Sequence, residues 1–155
     1  MRQPRLADAL IVAKRDLRRL YASGTAAFAA KGISEMAVIL VVEDDVFIRE
    51  IAESIIQDWG HQILSACDVP EALIHLKSSD HIDAVFTDVN LKTEILGGCD
   101  VARLGILLRP GLRVLYTTAT RDPDAMHARF AVGTHFLSKP YSERQLEISI
   151  QNLLN

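Results

Sequence analysis

Segments of strand character alternate with segments of helical character from residue 37 onward. Short runs rich in β-branched and aromatic residues, bounded by polar or turn-forming residues, are typical of buried strands. Such segments predict strands at 37–42, 62–66, 84–90, 112–118 and 135–138. Apolar repeats at helical spacing and helix-start signals predict helices at about 47–59, 71–77, 101–108, 122–131 and 142–153. The pattern therefore predicts strands and helices in strict alternation.

This alternation predicts an α/β fold with a doubly wound, five-stranded parallel sheet, because right-handed crossovers place helices on both faces of such a sheet. The flavodoxin-like strand order 2-1-3-4-5 is the common solution for five such units, and its ligands bind where the carboxyl ends of strands one and three meet. The polar residues at the strand ends are Glu43, Asp44, Asp88, Thr118 and Lys139. We therefore expect these side chains at one edge of the sheet.

Residues 1–35 differ from the rest in charge and pattern, which predicts a domain boundary before residue 36. They hold seven basic and three acidic residues, a net charge of +4, whereas 36–155 hold ten basic and 17 acidic residues, a net charge of −7. Apolar side chains at spacings of three and four from Leu6 to Leu20 predict an extra, amphipathic N-terminal helix, followed by a linker. Its role stays open between a docking or dimerising helix, a transit peptide, a membrane-surface helix, a weakly structured extension and sequence upstream of an initiator at Met36.

Composition narrows the class of protein. The chain has 155 residues, 49% of them hydrophobic and 24% charged, which suits one globular domain with an ordinary core. Cys67 and Cys99 lie in unrelated segments without metal-ligand spacing, so we expect reduced thiols in a cytoplasmic protein. The uncharged run at 20–30 is too short to span a bilayer, and no secretory signal is visible. The acidic charge of 36–155 argues against nucleic-acid binding.

The predicted cluster of carboxylates suggests a metal-assisted reaction with phosphate. Carboxylates brought together without a cation repel one another, and a bound Mg²⁺ would remove that repulsion. Asp44, Asp88 and the main-chain carbonyl of Asn90 would suit Mg²⁺ as oxygen ligands, with Glu43 holding a metal-bound water. Asp88 could then attack a phosphorus centre and form an acyl phosphate, while Lys139 supplies positive charge for the phosphoryl oxygens.

Short segments of this chain resemble the response-regulator receiver domain of two-component signalling. They are Val41-Val42-Glu43-Asp44-Asp45, Phe86-Thr87-Asp88-Val89-Asn90, Thr118-Ala119 and Phe136-Leu137-Ser138-Lys139-Pro140. The resemblance covers 36–155 and implies these roles: Asp88 as phosphoacceptor, Glu43 and Asp44 as the acidic pocket, Thr118 as the switch hydroxyl, Lys139 as the phosphate-contacting lysine and Phe136 as the switch aromatic residue. It also implies a phosphodonor, either a sensor histidine kinase or a histidine phosphotransfer protein.

The chain departs from the family pattern at three places. The loop that follows Asp88, at 91–98, lacks the proline that the family often has there and looks longer. The first acid is Glu43 rather than Asp. Thr117 beside Thr118 makes the position of the switch hydroxyl ambiguous by one residue. The small residue Ala119 favours Thr118, and alternation along a strand prevents both threonines from facing the site.

The leading hypothesis is a single-domain phosphoacceptor response regulator, with no enzymatic activity beyond self-catalysed phosphotransfer and autodephosphorylation. Because only a few residues follow the last predicted helix, we expect the signal to pass to a downstream protein target that docks at about 124–146. One alternative is a Mg²⁺-dependent phosphatase with an aspartyl-phosphate intermediate, although such enzymes usually need an acid where this chain has Asn90. Another is a receiver-like binding module that signals without phosphate. Dimerisation is left open.

Overall fold

The computed structural model describes residues 36–91, 97–119, 130 and 134–155 of the chain. Met36–Asn155 form one compact unit. The predicted N-terminal extension at 1–35, with its helix and linker, lies outside the described residues. The helix predicted at 122–131 does so as well, apart from Phe130, which is described.

The sheet has the predicted strand order. The strands are β1 (Val38–Val42), β2 (Gln62–Ala66), β3 (Ala84–Asp88), β4 (Arg113–Thr118) and β5 (His135–Ser138). They form one five-stranded sheet in the order β2-β1-β3-β4-β5, and every neighbouring pair runs parallel. The prediction of a doubly wound parallel sheet with β1 beside β3 is therefore confirmed.

Three of the four described helices begin after side chains that accept hydrogen bonds from their first backbone N–H groups. These helices are α1 (Val46–Asp58), α2 (Val69–Lys77), α3 (Gly97–Leu108) and α4 (Glu143–Leu154). The Asp45 carboxylate accepts from the N–H groups of the second and third residues of α1, and Asp68 caps α2. Ser142 and Gln145 form the predicted capping box at α4. Gly60 follows α1 at a φ of 88°, a conformation that glycine adopts without strain.

The third strand and the following helix differ from their predicted bounds. The sequence predicts a strand to residue 90 and a loop to residue 99, whereas β3 ends at Asp88 and α3 already begins at Gly97. The reason is a backbone contact between the two elements, because the Gly98 N–H donates to the Val89 carbonyl at 3.2 Å. The N–H of Val89 still donates to the Thr117 carbonyl at 2.9 Å, while the Val89 carbonyl binds the helix.

Two apolar layers sandwich the sheet. Helices α1 and α4 cover one face, where the core contains Val41 and Phe86 from the strands. Helices α2 and α3 cover the other face, where Val42 and Val85 point. Because all strands run parallel, their carboxyl ends meet at one edge of the sheet, and polar residues occupy this edge between the two helical layers.

Arg109 ties the end of α3 to the end of α2. Its guanidinium donates to four backbone carbonyls, those of Leu76 at 2.9 Å, Ser78 at 2.8 Å, Asp80 at 2.7 Å and His75 at 3.3 Å. The last carbonyls of a helix have no partner within the helix, so this side chain satisfies groups that would otherwise need water. Arg109 thus holds α2 and α3 together at the end of this helical layer that lies away from the strand carboxyl ends.

Two titratable side chains hold the start of β1. The buried His61 ring accepts the Ala37 N–H at Nδ1 over 3.3 Å, and the Asp83 carboxylate accepts the Val38 N–H over 2.8 Å. Burial lowers the pKa of His61 below its ordinary value, although the nearby Asp83 opposes that shift. Ala37 therefore depends on a neutral imidazole for this hydrogen bond. Within the described ranges, no helix combines the length and apolar character needed to cross a bilayer.

Candidate functional site

The ends of β1, β3 and β5 bring four predicted site residues together. Glu43 and Asp44 directly follow β1, Asp88 is the last residue of β3, and Lys139 directly follows β5. One carboxylate oxygen from each of the three acids lies within 4.8 Å of the others. The cluster forms because β1 and β3 are hydrogen-bonded neighbours whose carboxyl ends share one edge.

Lys139 bridges two of the acids. Its Nζ atom lies 2.6 Å from Glu43 Oε2 and 2.5 Å from Asp88 Oδ2. The backbone of Lys139 is fixed as well, because its N–H donates to the Thr118 carbonyl at 2.9 Å. The side chain of Asp88 is 13% exposed and that of Glu43 only 3%. Asp88 is therefore the member of this bridged pair that a second molecule can reach.

Burial and ion pairing compete in this cluster. Burial raises the pKa of the Glu43 carboxyl above its ordinary value, and the hydrogen bond from Lys139 does not cancel that effect. Burial alone would lower the pKa of Lys139, but its hydrogen bonds to Asp88 and Glu43 outweigh desolvation and raise it. Lys139 is consequently a fixed positive charge over the whole physiological pH range.

The backbone around Asp88 holds its carboxylate in place. The Asn90 N–H donates to Asp88 Oδ1 at 3.1 Å, and the Thr87 hydroxyl donates to the Asp88 carbonyl at 3.0 Å. Gly98 of α3 lies so close that an added Cβ would come within 1.8 Å of that carbonyl oxygen. The sequence reasoning missed Gly98, although the Gly97-Gly98 pair before a helical repeat was a signal of close backbone approach.

Thr118 and Phe136 lie on the same face of the sheet. Phe136 pairs in register with Tyr116, and Thr118 follows two residues after Tyr116, so alternation places all three side chains on one side. The Phe136 ring stacks on Tyr116 with centroids 5.4 Å apart and contacts Phe130 at 4.4 Å. Thr117 pairs with Asp88 and points to the opposite face. The choice of Thr118 rather than Thr117 as the switch hydroxyl stays a prediction.

Tyr141 is a further residue beside the site that the sequence reasoning did not identify. Its ring packs edge-on against Phe86, with centroids 6.2 Å apart. Burial raises the pKa of the phenol, and Glu43 and Asp88 reinforce that shift against the opposing effect of Lys139. The available sequence signal was an aromatic residue two positions after Lys139. Its contact with Phe86 holds the segment that carries the lysine against the sheet.

The donor set suits a hard divalent cation. Mg²⁺ takes oxygen ligands and is usually held by one or two carboxylates together with water and phosphate oxygens. The oxygens of Glu43, Asp44 and Asp88 are close enough for such an ion to be shared. In the described part of the chain, Cys67, Asp68 and Glu71 form a second group of possible ligands. Their contacts are those of a helix cap, since Glu71 accepts the Cys67 N–H and donates its own N–H to Asp68.

Comparison with known proteins gives the family. Residues 39–151 match the family described as the response regulator receiver domain. The chain belongs to the response regulator receiver family. A solved receiver protein from Sinorhizobium medicae is 26% identical, with a TM-score of 0.71 over 78% of this chain and 96% of that one. The chemotaxis response regulator CheY4 of Vibrio cholerae is 25% identical, with a TM-score of 0.68 over 77% of this chain and 100% of that one.

Among curated relatives, the receiver domain is similar to part of a longer protein. An uncharacterised transcriptional regulatory protein of Bacillus subtilis, YbdJ, is 28% identical over 118 residues, which are 75% of this chain and 50% of that protein. The chain thus spans about half the length of the curated relatives it matches. Receiver domains belong to two-component systems, interact with histidine kinases or phosphotransfer proteins and generally bind Mg²⁺ at the acidic pocket.

Proposed function

We propose that this receiver domain accepts a phosphoryl group on Asp88 from a phosphohistidine of a histidine kinase or phosphotransfer protein. The observation that carries the proposal is the position of Asp88, with Lys139 Nζ at 2.5 Å and the carboxylates of Glu43 and Asp44 beside it. A partly exposed carboxylate, a fixed ammonium and a cation-binding acid pair are the groups that phosphoryl transfer requires.

The transfer replaces one bond to phosphorus with another. A carboxylate oxygen of Asp88 attacks phosphorus, and the bond between phosphorus and the donor imidazole nitrogen breaks. The nitrogen keeps the electron pair of that bond and takes up a proton. Lys139 compensates the charge of the phosphoryl oxygens, because its ammonium already lies within hydrogen-bond distance of the attacking carboxylate. The Asn90 N–H orients the same carboxylate.

Mg²⁺ is the cofactor in this proposal. Asp44, Asp88 and the main-chain carbonyl of Asn90 would hold it, with Glu43 acting through water. When bound, the ion neutralises charge on the phosphoryl oxygens. The carboxylate oxygens within 4.8 Å of one another support this assignment. The protein then acts as a phosphoacceptor with self-catalysed transfer and autodephosphorylation rather than as an enzyme on a separate substrate.

The donor has an apolar surface available next to the site. The first turns of α1, which begin two residues after the acid pair, expose Phe47 at 73% and Ile51 at 60%. A residue and its neighbour four positions on lie on the same side of a helix, so the two side chains form one patch. A phosphodonor protein that packs on this patch would bring its phosphohistidine to the edge that carries Asp88.

Phosphorylation would then change the surface that a downstream target recognises. An acyl phosphate adds negative charge at the end of β3, which pairs with β4. In this proposal Thr118, the last residue of β4, moves toward the phosphoryl oxygens. Phe136 shares the sheet face of Thr118 and would fill the space that it leaves. The proposed target face, about 124–146, lies partly outside the described residues. We place these events in the cytoplasm, which suits the free thiols of Cys67 and Cys99.

The test is phosphorylation by acetyl phosphate and by a cognate kinase in the presence of Mg²⁺. We expect Asp88→Asn to abolish labelling, because an amide cannot form the acyl phosphate. Asp58→Asn, at the exposed end of α1, is the matched control and should label like the wild type. Labelling that persists on the Asp88→Asn variant contradicts the proposal. Steady turnover of a small phosphate ester would favour the phosphatase alternative instead.

A further inference from the structure

Arg49 makes a contact to the acidic pocket that the proposed mechanism does not use. It lies in the first turns of α1, and its Nη1 atom donates to the main-chain carbonyl of Glu43 at 2.6 Å. The side chain is only 18% exposed. That carbonyl belongs to the peptide group that joins Glu43 to Asp44. Arg49 therefore binds the backbone between the two acids at the end of β1.

A second set of contacts holds the guanidinium from its other side. Glu53, one turn further along α1, places Oε1 3.8 Å from Arg49 Nε. The same oxygen accepts a hydrogen bond from the Ser65 hydroxyl at 2.5 Å. Ser65 belongs to β2, the strand at the edge of the sheet beside β1. These contacts connect β2 to the Glu43 carbonyl through two side chains of α1, and we name them the Arg49–Glu53–Ser65 relay.

The relay completes the set of bonds that fix Glu43. The Glu43 N–H donates to the Ala66 carbonyl at 3.2 Å, Oε1 accepts the Asp45 N–H at 3.3 Å, and Oε2 accepts from Lys139. With Arg49 on the carbonyl, every polar group of Glu43 has a partner. Of these bonds, the one from Arg49 acts directly on the Glu43–Asp44 peptide, and that peptide sets where the Asp44 side chain leaves the backbone.

We infer that Arg49 is a positioning residue, which the Arg49–Glu53–Ser65 relay aligns so that the Glu43–Asp44 peptide presents its carboxylates to a divalent cation. The inference deepens the proposed function, because it concerns the same acidic pocket. Groups outside the first ligand shell that orient the ligands typically contribute 10- to 100-fold to metal affinity. The planar guanidinium suits this role, since it can contact a carbonyl and a carboxylate in fixed directions.

Simple electrostatics predicts the opposite sign, which makes the inference testable. Arg49 is a cation beside a cation site, so loss of its charge alone should tighten Mg²⁺ binding. Loss of a positioning contact should weaken it. The experiment measures Mg²⁺ affinity of the full chain by isothermal titration calorimetry, with thermal unfolding recorded on the same samples. For Arg49→Gln we expect affinity about tenfold weaker than wild type.

Further variants separate positioning from a general loss of structure. Arg103→Gln is the control, because Arg103 is an exposed arginine of α3 that forms its ion pair with Asp100, away from the acidic pocket, and the variant should bind Mg²⁺ like wild type. Glu53→Gln should weaken binding less than Arg49→Gln. The double variant should be no weaker than Arg49→Gln alone, because residues acting in series are not additive. Ser65→Ala, a mild change at an exposed strand position, should shift affinity in the same direction.

The outcomes distinguish this inference from the proposed function. Unchanged or tighter Mg²⁺ binding by folded Arg49→Gln overturns the positioning role and leaves the proposed function standing. If Arg49→Gln does not fold, unchanged affinity in both Glu53→Gln and Ser65→Ala overturns it equally. Absence of Mg²⁺ binding by the wild-type chain would overturn the proposed metal site and the inference together.

Discussion

Replacement of Gly98 by alanine should disable the site without touching any of its side chains. The Cβ of alanine would lie 1.8 Å from the Asp88 carbonyl oxygen, 2.8 Å from the Asp88 carbonyl carbon and 2.9 Å from the Thr87 hydroxyl. A carbon and a carbonyl oxygen normally approach to about 3.3 Å, so α3 and the end of β3 must separate by roughly 1.5 Å. The neighbouring atoms are mainly backbone, which cannot rotate away.

The expected magnitude follows from two opposing effects. Overpacking against backbone costs about 1–3 kcal/mol, and alanine in a helix regains about 1 kcal/mol relative to glycine. The net loss of stability is therefore modest, at most about 2 kcal/mol. The loss of reactivity should be larger, because a displacement of about 1 Å in a reacting group lowers rates by about 100-fold. Asp88 would move relative to Lys139, whose ammonium now lies 2.5 Å from it.

The assay is the rate of phosphorylation by acetyl phosphate, paired with unfolding in urea. Gly105→Ala is the matched control, because it introduces the same methyl group into the same helix. There the new Cβ would meet only the ends of the Leu112 and Leu76 side chains, the nearest at 2.8 Å, and these can rotate. We expect Gly105→Ala to phosphorylate at the wild-type rate. Wild-type rate and stability in Gly98→Ala would refute the close-approach argument.

Three other predictions address the fold and the donor surface. Arg109→Gln should lower the free energy of unfolding by about 2–4 kcal/mol, because it removes hydrogen bonds to several carbonyls, while exposed Arg103→Gln changes it little in the same urea titration. The free energy of unfolding should decrease as the pH falls below about 6.5, because protonation of His61 is less favourable in the folded state than in the unfolded state. The His61→Gln variant should show a smaller decrease with pH, and an equal decrease would contradict this explanation. Phe47→Ser should slow phosphorylation by a protein donor at least about tenfold but should not slow phosphorylation by acetyl phosphate. The control is Leu107→Ser, which removes an equally exposed apolar side chain from α3. If both variants react with the protein donor at equal rates, the Phe47–Ile51 patch is not the donor surface.

The sequence predicts most of the fold because local and global signals agree. The apolar segment at 62–66 and the run at 135–138 match β2 and β5 in full, and the capping box at Ser142 marks the start of α4. The strand order was predicted from this alternation together with the common order for five such units. Glu43, Asp44, Asp88 and Lys139 could be placed together because parallel strands must end at one edge.

Contacts made between distant segments could not be predicted in the same way. Glycine has a low helix propensity and therefore predicts a loop, yet Gly97 and Gly98 belong to α3. The close approach of Gly98 to the Asp88 carbonyl is visible only in the folded chain. Arg109 and Arg49 look like ordinary surface charges in the sequence. Their partners are backbone carbonyls, which carry no sequence signature, so their roles appear only in three dimensions.

The distance along the chain between Glu43 and Lys139 has a practical consequence. These bonded partners are 96 positions apart, and the first follows β1 while the second follows β5. A chain in which β5 has not yet joined the sheet does not place the Lys139 ammonium beside Glu43, however much other secondary structure it has formed. Small domains of this kind fold in an all-or-none manner. The fraction of wild-type molecules that a small phosphate donor can label should therefore report the native fraction of a preparation.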